Sequence, residues 1–182
     1  IAKGQLVKTT EGDIAIENIK VGMSVITHHN AQKVLAACRT GVDKKVVLVK
    51  AGKSELICTP EHSVYAVTAD GECGWYEARN LTSKHYVVST NKIAESSFPS
   101  IPHLMLYSFL MKFCGVEQNL LSDYDYRTTK LSYSELKDNL KLKCDTSAIV
   151  WIFDHELLQV KSVKHETKTD VYDLEIDTAH CF

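Results

Sequence analysis

Turn signals divide the first half of the chain into short segments, and this spacing constrains the fold more than any other feature. Glycine marks breaks at residues 11–13, 21–22, 41–43, 51–53 and 70–72, in most of them with a charged residue within the break. Val-rich runs lie between or after the breaks, for example at residues 45–49 and 85–89, the second of which also contains Tyr86. Because β-branched and aromatic residues favour strands and glycine favours tight turns, repeated breaks of this kind predict an all-β body.

A short element at residues 75–81 interrupts this series of strands. It contains Trp75, Tyr76 and Leu81. A large aromatic ring in such a place is typical of a core anchor, so we expect Trp75 to be buried where the element covers the sheet.

The pattern changes after residue 91. A Ser- and Pro-rich connection at residues 96–102 leads into an apolar, helix-like run at 103–113, and residues 132–142 begin with a capping-box pattern. Strand character returns at residue 149. The sequence therefore predicts a β domain in two parts, residues 1–91 and 149–182, with an α-containing insertion at residues 92–148.

Composition excludes several functions. The chain of 182 residues, 45% of them hydrophobic, suffices for one domain with an insertion. Its net charge is -2, with Lys and Arg scattered along the chain, so we expect no nucleic-acid partner. No apolar run approaches the roughly twenty residues that cross a bilayer, and no secretory pattern opens the chain. We expect a soluble, cytoplasmic or otherwise intracellular monomer with no membrane partner.

The six cysteines form no Cys-x-x-Cys pair, so the sequence predicts no metal site and no cofactor. Free thiols are expected in a mid-sized chain without a secretory signal. Cys58 lies in an apolar run and is expected in the core. Cys181 follows His180 directly, so it either has an accessory role at the site or packs as a small hydrophobic side chain.

Two distant segments carry residues suited to proton transfer. Thr59 and His62 share a Thr-x-x-His pattern, while Asp173 and His180 lie in the closing stretch VYDLEIDTAHCF, residues 171–182. Histidine exchanges protons near neutral pH, so two separate histidines indicate two proton-transfer steps. The alternative for each segment alone is an ordinary strand or turn, and residues 171–176 do alternate as a strand would.

Three stretches, in order, resemble blocks of the intein, or protein-splicing, family of the hedgehog/intein (Hint) fold. They are residues 1–25, with AKG at 2–4 and VGMSV at 21–25, residues 56–65 with Thr-x-x-His, and residues 171–182 with YDL and His-x-Phe. The resemblance implies a mostly β, horseshoe-like Hint fold in which both chain ends meet. The insertion is too short for the homing endonuclease of many relatives, so the chain resembles a mini-intein.

The resemblance also implies a chemistry and its residues. Splicing would proceed by N–S acyl shift, transesterification and Asn cyclisation, in a single turnover without a cofactor, on flanking polypeptides (exteins) in cis or on a complementary fragment. His62, titrating near neutrality, would protonate the departing nitrogen, and Thr59 would orient it. Asp173, if buried, would serve as acid and base. His180 would assist the terminal Asn.

Two departures from the family pattern leave alternatives open. The expected nucleophile would stand directly before Ile1, and the terminal His-Asn pair would follow Phe182. We therefore expect both scissile ends to lie outside the sequence as written, through trimming, disorder or a two-piece organisation. A hedgehog-type or bacterial autoprocessing domain, which only cleaves, is one alternative function. A β-rich binding module without chemistry is another.

Overall fold

The computed structural model describes residues 1–27, 30–92 and 155–177. The helices expected at 103–113 and 132–142, and nearly all of the proposed insertion, lie outside these residues. Nine strands lie in the described part of the chain: β1 Leu6–Thr9, β2 Gly12–Ala15, β3 Ser24–Ile26, β4 Ala31–Ala51, β5 Ser54–Cys58, β6 Ser63–Thr68, β7 Cys73–Glu77, β8 His85–Lys92 and β9 His155–Ile176. Two 3-10 turns, Ile16–Asn18 and Ala78–Asn80, complete the set. The mostly β prediction is confirmed.

The chain divides into two compact units, and the first contains Ile1–Val64, Tyr76–Ser83 and the chain from Val160 onward. Its strands are ordered β2-β1-β3-β4-β9, with β5 also paired to β4, and each of these pairings is antiparallel. Short connections explain the pairings β1–β2, β3–β4 and β4–β5, because consecutive antiparallel strands form hairpins, whereas β4 and β9 come from distant parts of the chain.

The ladder between β4 and β9 is the longest in this unit. It runs from Val34 opposite Ile176 to Ala51 opposite Val160. The glycine-acid signal at residues 41–43 predicts a turn, and this prediction is wrong, because β4 continues through it. The extra residues of β4 between Arg39 and Lys44 form bulges, with Asp43 in a left-handed conformation at φ 51°.

Among the described residues of this unit, two clusters of buried hydrophobic side chains include residues of β9. The larger cluster contains Val25, Val34, Leu174 and Ile176 among its buried residues. The smaller cluster contains Ala2, Val46 and Val171, with Ile57 packed against it. Because neighbouring residues of a strand face opposite sides, β9 contributes Val171 to one cluster and Leu174 to the other.

The second unit contains Tyr65–Trp75 and the chain from Lys84 to Gln159. Its strands follow the order β9-β8-β6-β7. Trp75 is 52% exposed, so its predicted burial is wrong. Its ring instead lies 5.1 Å from that of Tyr65, centroid to centroid, which leaves the rest of the indole in solvent.

Within the described residues, no helix combines the length and apolar character needed to span a membrane.

Candidate active site

The first residues of the chain lie between β9 and β5. The Ile1 nitrogen donates to the Tyr172 carbonyl at 2.9 Å, and the Tyr172 nitrogen donates to the Ile1 carbonyl at 2.8 Å. On the other side, the Ala2 nitrogen donates to the Ile57 carbonyl at 2.9 Å. Because Ala2 is only 1% exposed, packing and hydrogen bonds together hold the chain start in one place.

The side chain of Gln5 strengthens this position. Its Oε1 accepts a hydrogen bond from the Ile57 nitrogen at 2.9 Å. Gln5 therefore connects the chain start to the strand that leads directly into the Thr-x-x-His segment.

That segment forms a tight turn after β5. The His62 nitrogen donates to the Thr59 carbonyl at 3.0 Å, and Pro60 occupies the second position of the turn, where its restricted φ is favourable. The 3-10 turn Ala78–Asn80 holds the loop in place, because the Ala78 nitrogen donates to the His62 carbonyl at 2.8 Å and the Arg79 nitrogen to the Pro60 carbonyl at 3.0 Å.

Burial lowers the pKa of His62 to about 4, and the positive charge of the Ile1 amino group adds to the effect, while Asp173 opposes it. The imidazole is therefore neutral at neutral pH. The expectation of titration near neutrality is wrong for this chain, because desolvation disfavours the charged ring.

Cys58 lies beside the same groups. Its side chain is fully buried, and burial raises the pKa of its thiol to about 11, while the Ile1 amino group lowers it and Glu61 raises it. Burial also lowers the pKa of the Ile1 amino group, against the attraction of Cys58 and Asp173. These mutual influences place Ile1, Cys58, His62 and Asp173 within one electrostatic neighbourhood.

Asp173 differs from expectation in one respect. It is exposed, so the burial that would let it act as acid as well as base is missing. Its Oδ1 accepts a hydrogen bond from the Leu174 nitrogen at 3.0 Å.

The structure thus brings together Ile1, Thr59, His62 and Asp173 from three distant parts of the sequence. His180 and Cys181 lie outside the described residues, and the catalytic roles of all six stay predictions. Sequence reasoning expected Cys58 in the core but did not place it at the site, although its position next to Thr59 was a usable signal. No sequence signal pointed to Gln5.

Residues 1–27, 30–92 and 155–177 contain no group of three or more His, Cys, Asp or Glu side chains suited to binding a metal ion.

Solved structures resemble this chain along nearly its whole length. A bacterial intein-like domain from Clostridium thermocellum is 16% identical, with a TM-score of 0.57 over 98% of this chain and 87% of that one. A G-1F mutant of the Ssp DnaB mini-intein variant M86 is 16% identical, with a TM-score of 0.55 over 97% and 87%. The DnaX mini intein from Spirulina platensis is 16% identical, with a TM-score of 0.53 over 98% and 90%.

The chain has the intein fold.

This intein fold confirms the fold expected from the three sequence blocks. No protein-family model and no curated protein sequence matches the chain. At 16% identity the likeness concerns the fold, and function must be argued from the site.

Proposed function

We propose that the chain is a self-splicing domain that excises itself from a precursor and ligates its flanking polypeptides. One observation carries the proposal, namely that the chain start pairs with β9 beside the turn that bears His62. A peptide bond just upstream of Ile1 is thereby held next to a proton-transfer group. Folding replaces substrate binding, and the reacting groups gain a high effective molarity.

The first step acts on the peptide bond of the residue directly before Ile1. A thiol or hydroxyl of that residue attacks the preceding carbonyl, and the amide nitrogen leaves as an amine. His62, neutral at rest, takes the proton from the attacking group and returns it to the departing nitrogen. The lowered pKa of His62 suits these two proton transfers, since a neutral ring accepts a proton and a strongly acidic imidazolium gives it up readily.

Thr59 and Asp173 support this step from two sides. Thr59 begins the turn that bears His62 and would orient the imidazole or the scissile amide. Asp173 lies on the strand that pairs with the chain start, and its negative charge favours the imidazolium that forms during the transfer.

The later steps take place at the C-terminal junction. The first nucleophilic residue of the downstream flank takes over the acyl group, a terminal Asn cyclises with help from His180, and the new peptide bond forms. The partners are the domain's own flanking polypeptides in cis, or a complementary fragment if the domain is split. Acyl transfer of this kind needs no cofactor.

A fusion protein tests the proposal. Flank proteins are joined upstream, through a Cys placed directly before Ile1, and downstream, through a terminal His-Asn pair and a second Cys. We expect the native domain to ligate the flanks. His62→Ala should slow thioester formation by about 100-fold or more, leaving uncut precursor, and His180→Ala should accumulate N-terminally cleaved or branched species. Mass spectrometry over time distinguishes the products.

His165→Ala provides the matched control, because His165 is an exposed histidine of β9 with no part in the proposed steps. It should splice as the native domain does. Full ligation by the His62 variant would reject its role, and a native fusion protein that never cleaves would reject self-processing altogether.

A further inference from the structure

The backbone of β9 directs alternate residues toward opposite neighbours. Tyr172 exchanges both of its backbone hydrogen bonds with Ile1, whereas the nitrogen of Asp177 donates to the Lys33 carbonyl on the β4 side. No residue of β9 is skipped in the pairing with β4 over this stretch. The N–H and C=O groups of Leu174 therefore point toward the same edge as those of Tyr172.

On that edge the Leu174 N–H forms a hydrogen bond with a side chain rather than with another strand. It donates to Oδ1 of its own neighbour Asp173 at 3.0 Å rather than to a strand. Within the described residues, nothing pairs with this edge of β9 beyond Tyr172 on the C-terminal side. The Leu174 side chain is only 8% exposed and belongs to the core, so packing fixes the direction of the N–H.

The register shows what would lie opposite this group in a precursor. Hydrogen-bonded and non-hydrogen-bonded pairs alternate in an antiparallel ladder, and Ile1 with Tyr172 is a hydrogen-bonded pair. If the upstream chain continues the ladder, the residue directly before Ile1, here called the nucleophile residue, lies opposite Asp173. The residue before that, here called the flank residue, lies opposite Leu174.

We propose that the Leu174 backbone N–H is the oxyanion donor for the first acyl transfer and that the flank residue's carbonyl displaces Asp173 from it. This inference rests on the proposed function, because the flank residue's carbonyl is the group that the nucleophile attacks. In the hydrogen-bonded pair, the Leu174 N–H donates to that carbonyl oxygen and the flank residue's N–H donates to the Leu174 carbonyl.

The step balances without any outside reagent. The nucleophile residue's sulfur or oxygen forms a bond to the flank residue's carbonyl carbon, and the C=O electron pair moves to the oxygen, where the Leu174 N–H stabilises it. The C–N bond then breaks as the electron pair returns. The nitrogen keeps its bonding pair and takes the proton that His62 received from the nucleophile.

The same register accounts for the departing nitrogen. The Ala2 N–H points away from β9 toward Ile57, and the nucleophile residue, two positions earlier, has the same orientation in an extended chain. Its N–H therefore points toward the side of Cys58 and His62. In the scissile peptide bond, the carbonyl oxygen thus faces the Leu174 N–H, and the amide nitrogen faces the opposite side, where His62 supplies the proton.

An NMR experiment tests the register. A precursor with Ala as the nucleophile residue cannot react, and a flank of several residues precedes it. We expect an Hα–Hα cross-peak between that Ala and Asp173, because non-hydrogen-bonded antiparallel pairs bring Cα atoms to about 4.5 Å. The Leu174 amide should exchange more slowly than in the chain that begins at Ile1. A missing cross-peak with unchanged Leu174 exchange would overturn the register.

A backbone amide-to-ester replacement tests the oxyanion role. Semisynthesis of the segment from Val160 onward permits an ester at Leu174, which removes this N–H and keeps the side chain. In the fusion protein with an upstream Cys, thioester formation should slow by about 100-fold, as for other oxyanion donors. An ester at Glu175 is the matched control, since it removes an N–H that faces β4.

The outcomes separate the two proposals. A Leu174 ester that forms thioester as fast as the Glu175 ester, while His62→Ala still blocks the reaction, overturns the oxyanion role alone. A fusion protein of native backbone that forms no thioester overturns the proposed function. Circular dichroism on both esters shows whether a slow variant is folded, and a folded Leu174 ester with normal C-terminal cleavage and slow thioester formation supports the inference.

Discussion

At the scale of single residues, burial and one nearby charge govern the site. His62 loses hydration in its turn, and the Ile1 amino group repels its protonated form, so the pKa of the ring falls to about 4. The same burial keeps the Cys58 thiol protonated, with a pKa of about 11. Cys58 is therefore a weak nucleophile at neutral pH, despite its position beside the chain start.

The charge at Ile1 provides a prediction for His62. Extending the chain upstream converts the amino group into a neutral amide, which removes a repulsion that lowers the pKa. We expect the pKa of His62 to rise above its value in the chain that begins at Ile1, while burial still keeps it below 6.5. An NMR titration of the imidazole in both chains measures the difference. Identical titration curves would show that Ile1 does not influence His62.

At the scale of elements, the bulged part of β4 supports the strand that receives the chain start. Gly41 lies opposite Val171, and Val171 forms a bridge with Ala2. An ion pair between Arg39 and Asp170, 3.2 Å apart, joins the same two strands. Arg39 is exposed and Asp170 only partly buried, so this pair contributes little to stability and steric fit at Gly41 matters more.

A substitution at Gly41 tests that fit. A Cβ there would lie 2.6 Å from Lys44 Cγ and 3.1 Å from Val171 Cγ2. We expect Gly41→Ala to reduce the free energy of unfolding by about 1 to 3 kcal/mol, as overpacking does. Adding Lys44→Ala should recover part of the loss, and Lys44→Ala alone should cost little. Urea unfolding measures the stability of Gly41→Ala, of Lys44→Ala and of the double variant. If the double variant is no more stable than Gly41→Ala, the cost comes from the contact with Val171 alone.

At the scale of the whole molecule, the unit that contains the candidate site is assembled from distant parts of the chain. Ile1–Val64 and the chain from Val160 contribute the two strands of its longest ladder. Pairing at such sequence separation carries a large loop-closure cost, so long connections should slow folding. In the other unit, Lys92 at the end of β8 pairs with His155 at the start of β9. The two residues that flank the segment 93–154 are thus paired with each other.

That geometry predicts that residues 93–154 can be replaced by a short hairpin loop. An Asn-Gly turn would join β8 directly to β9, and the shorter closure should speed folding. We expect the shortened chain to remain β-rich, and to splice in the fusion protein, if residues 92–148 are an insertion. Circular dichroism measures the β content, and the mass-spectrometric assay measures splicing. A shortened chain that is soluble but unfolded would assign a structural role to the replaced segment.

Local patterns sufficed for part of the fold. Glycine breaks and Val-rich runs identified a β body, because strand alternation and turn geometry depend on near neighbours. They failed at residues 41–43, where β9 lies opposite and converts an expected turn into bulges. They also failed at Trp75, whose burial depended on how much of its ring Tyr65 and the rest of its surroundings would cover.

By itself, the sequence identified the candidate residues: Thr59 and His62 in one motif and Asp173 in another, with a resemblance that joined them to Ile1. Their catalytic roles stay predictions. Only the tertiary structure decided how they meet, since hydrogen bonds between Ile1 and Tyr172 connect positions at opposite ends of the chain. It also decided the protonation of His62, the exposure of Asp173 and the direction of the Leu174 N–H. Such properties depend on solvent access and strand register, which arise only when distant segments pack together.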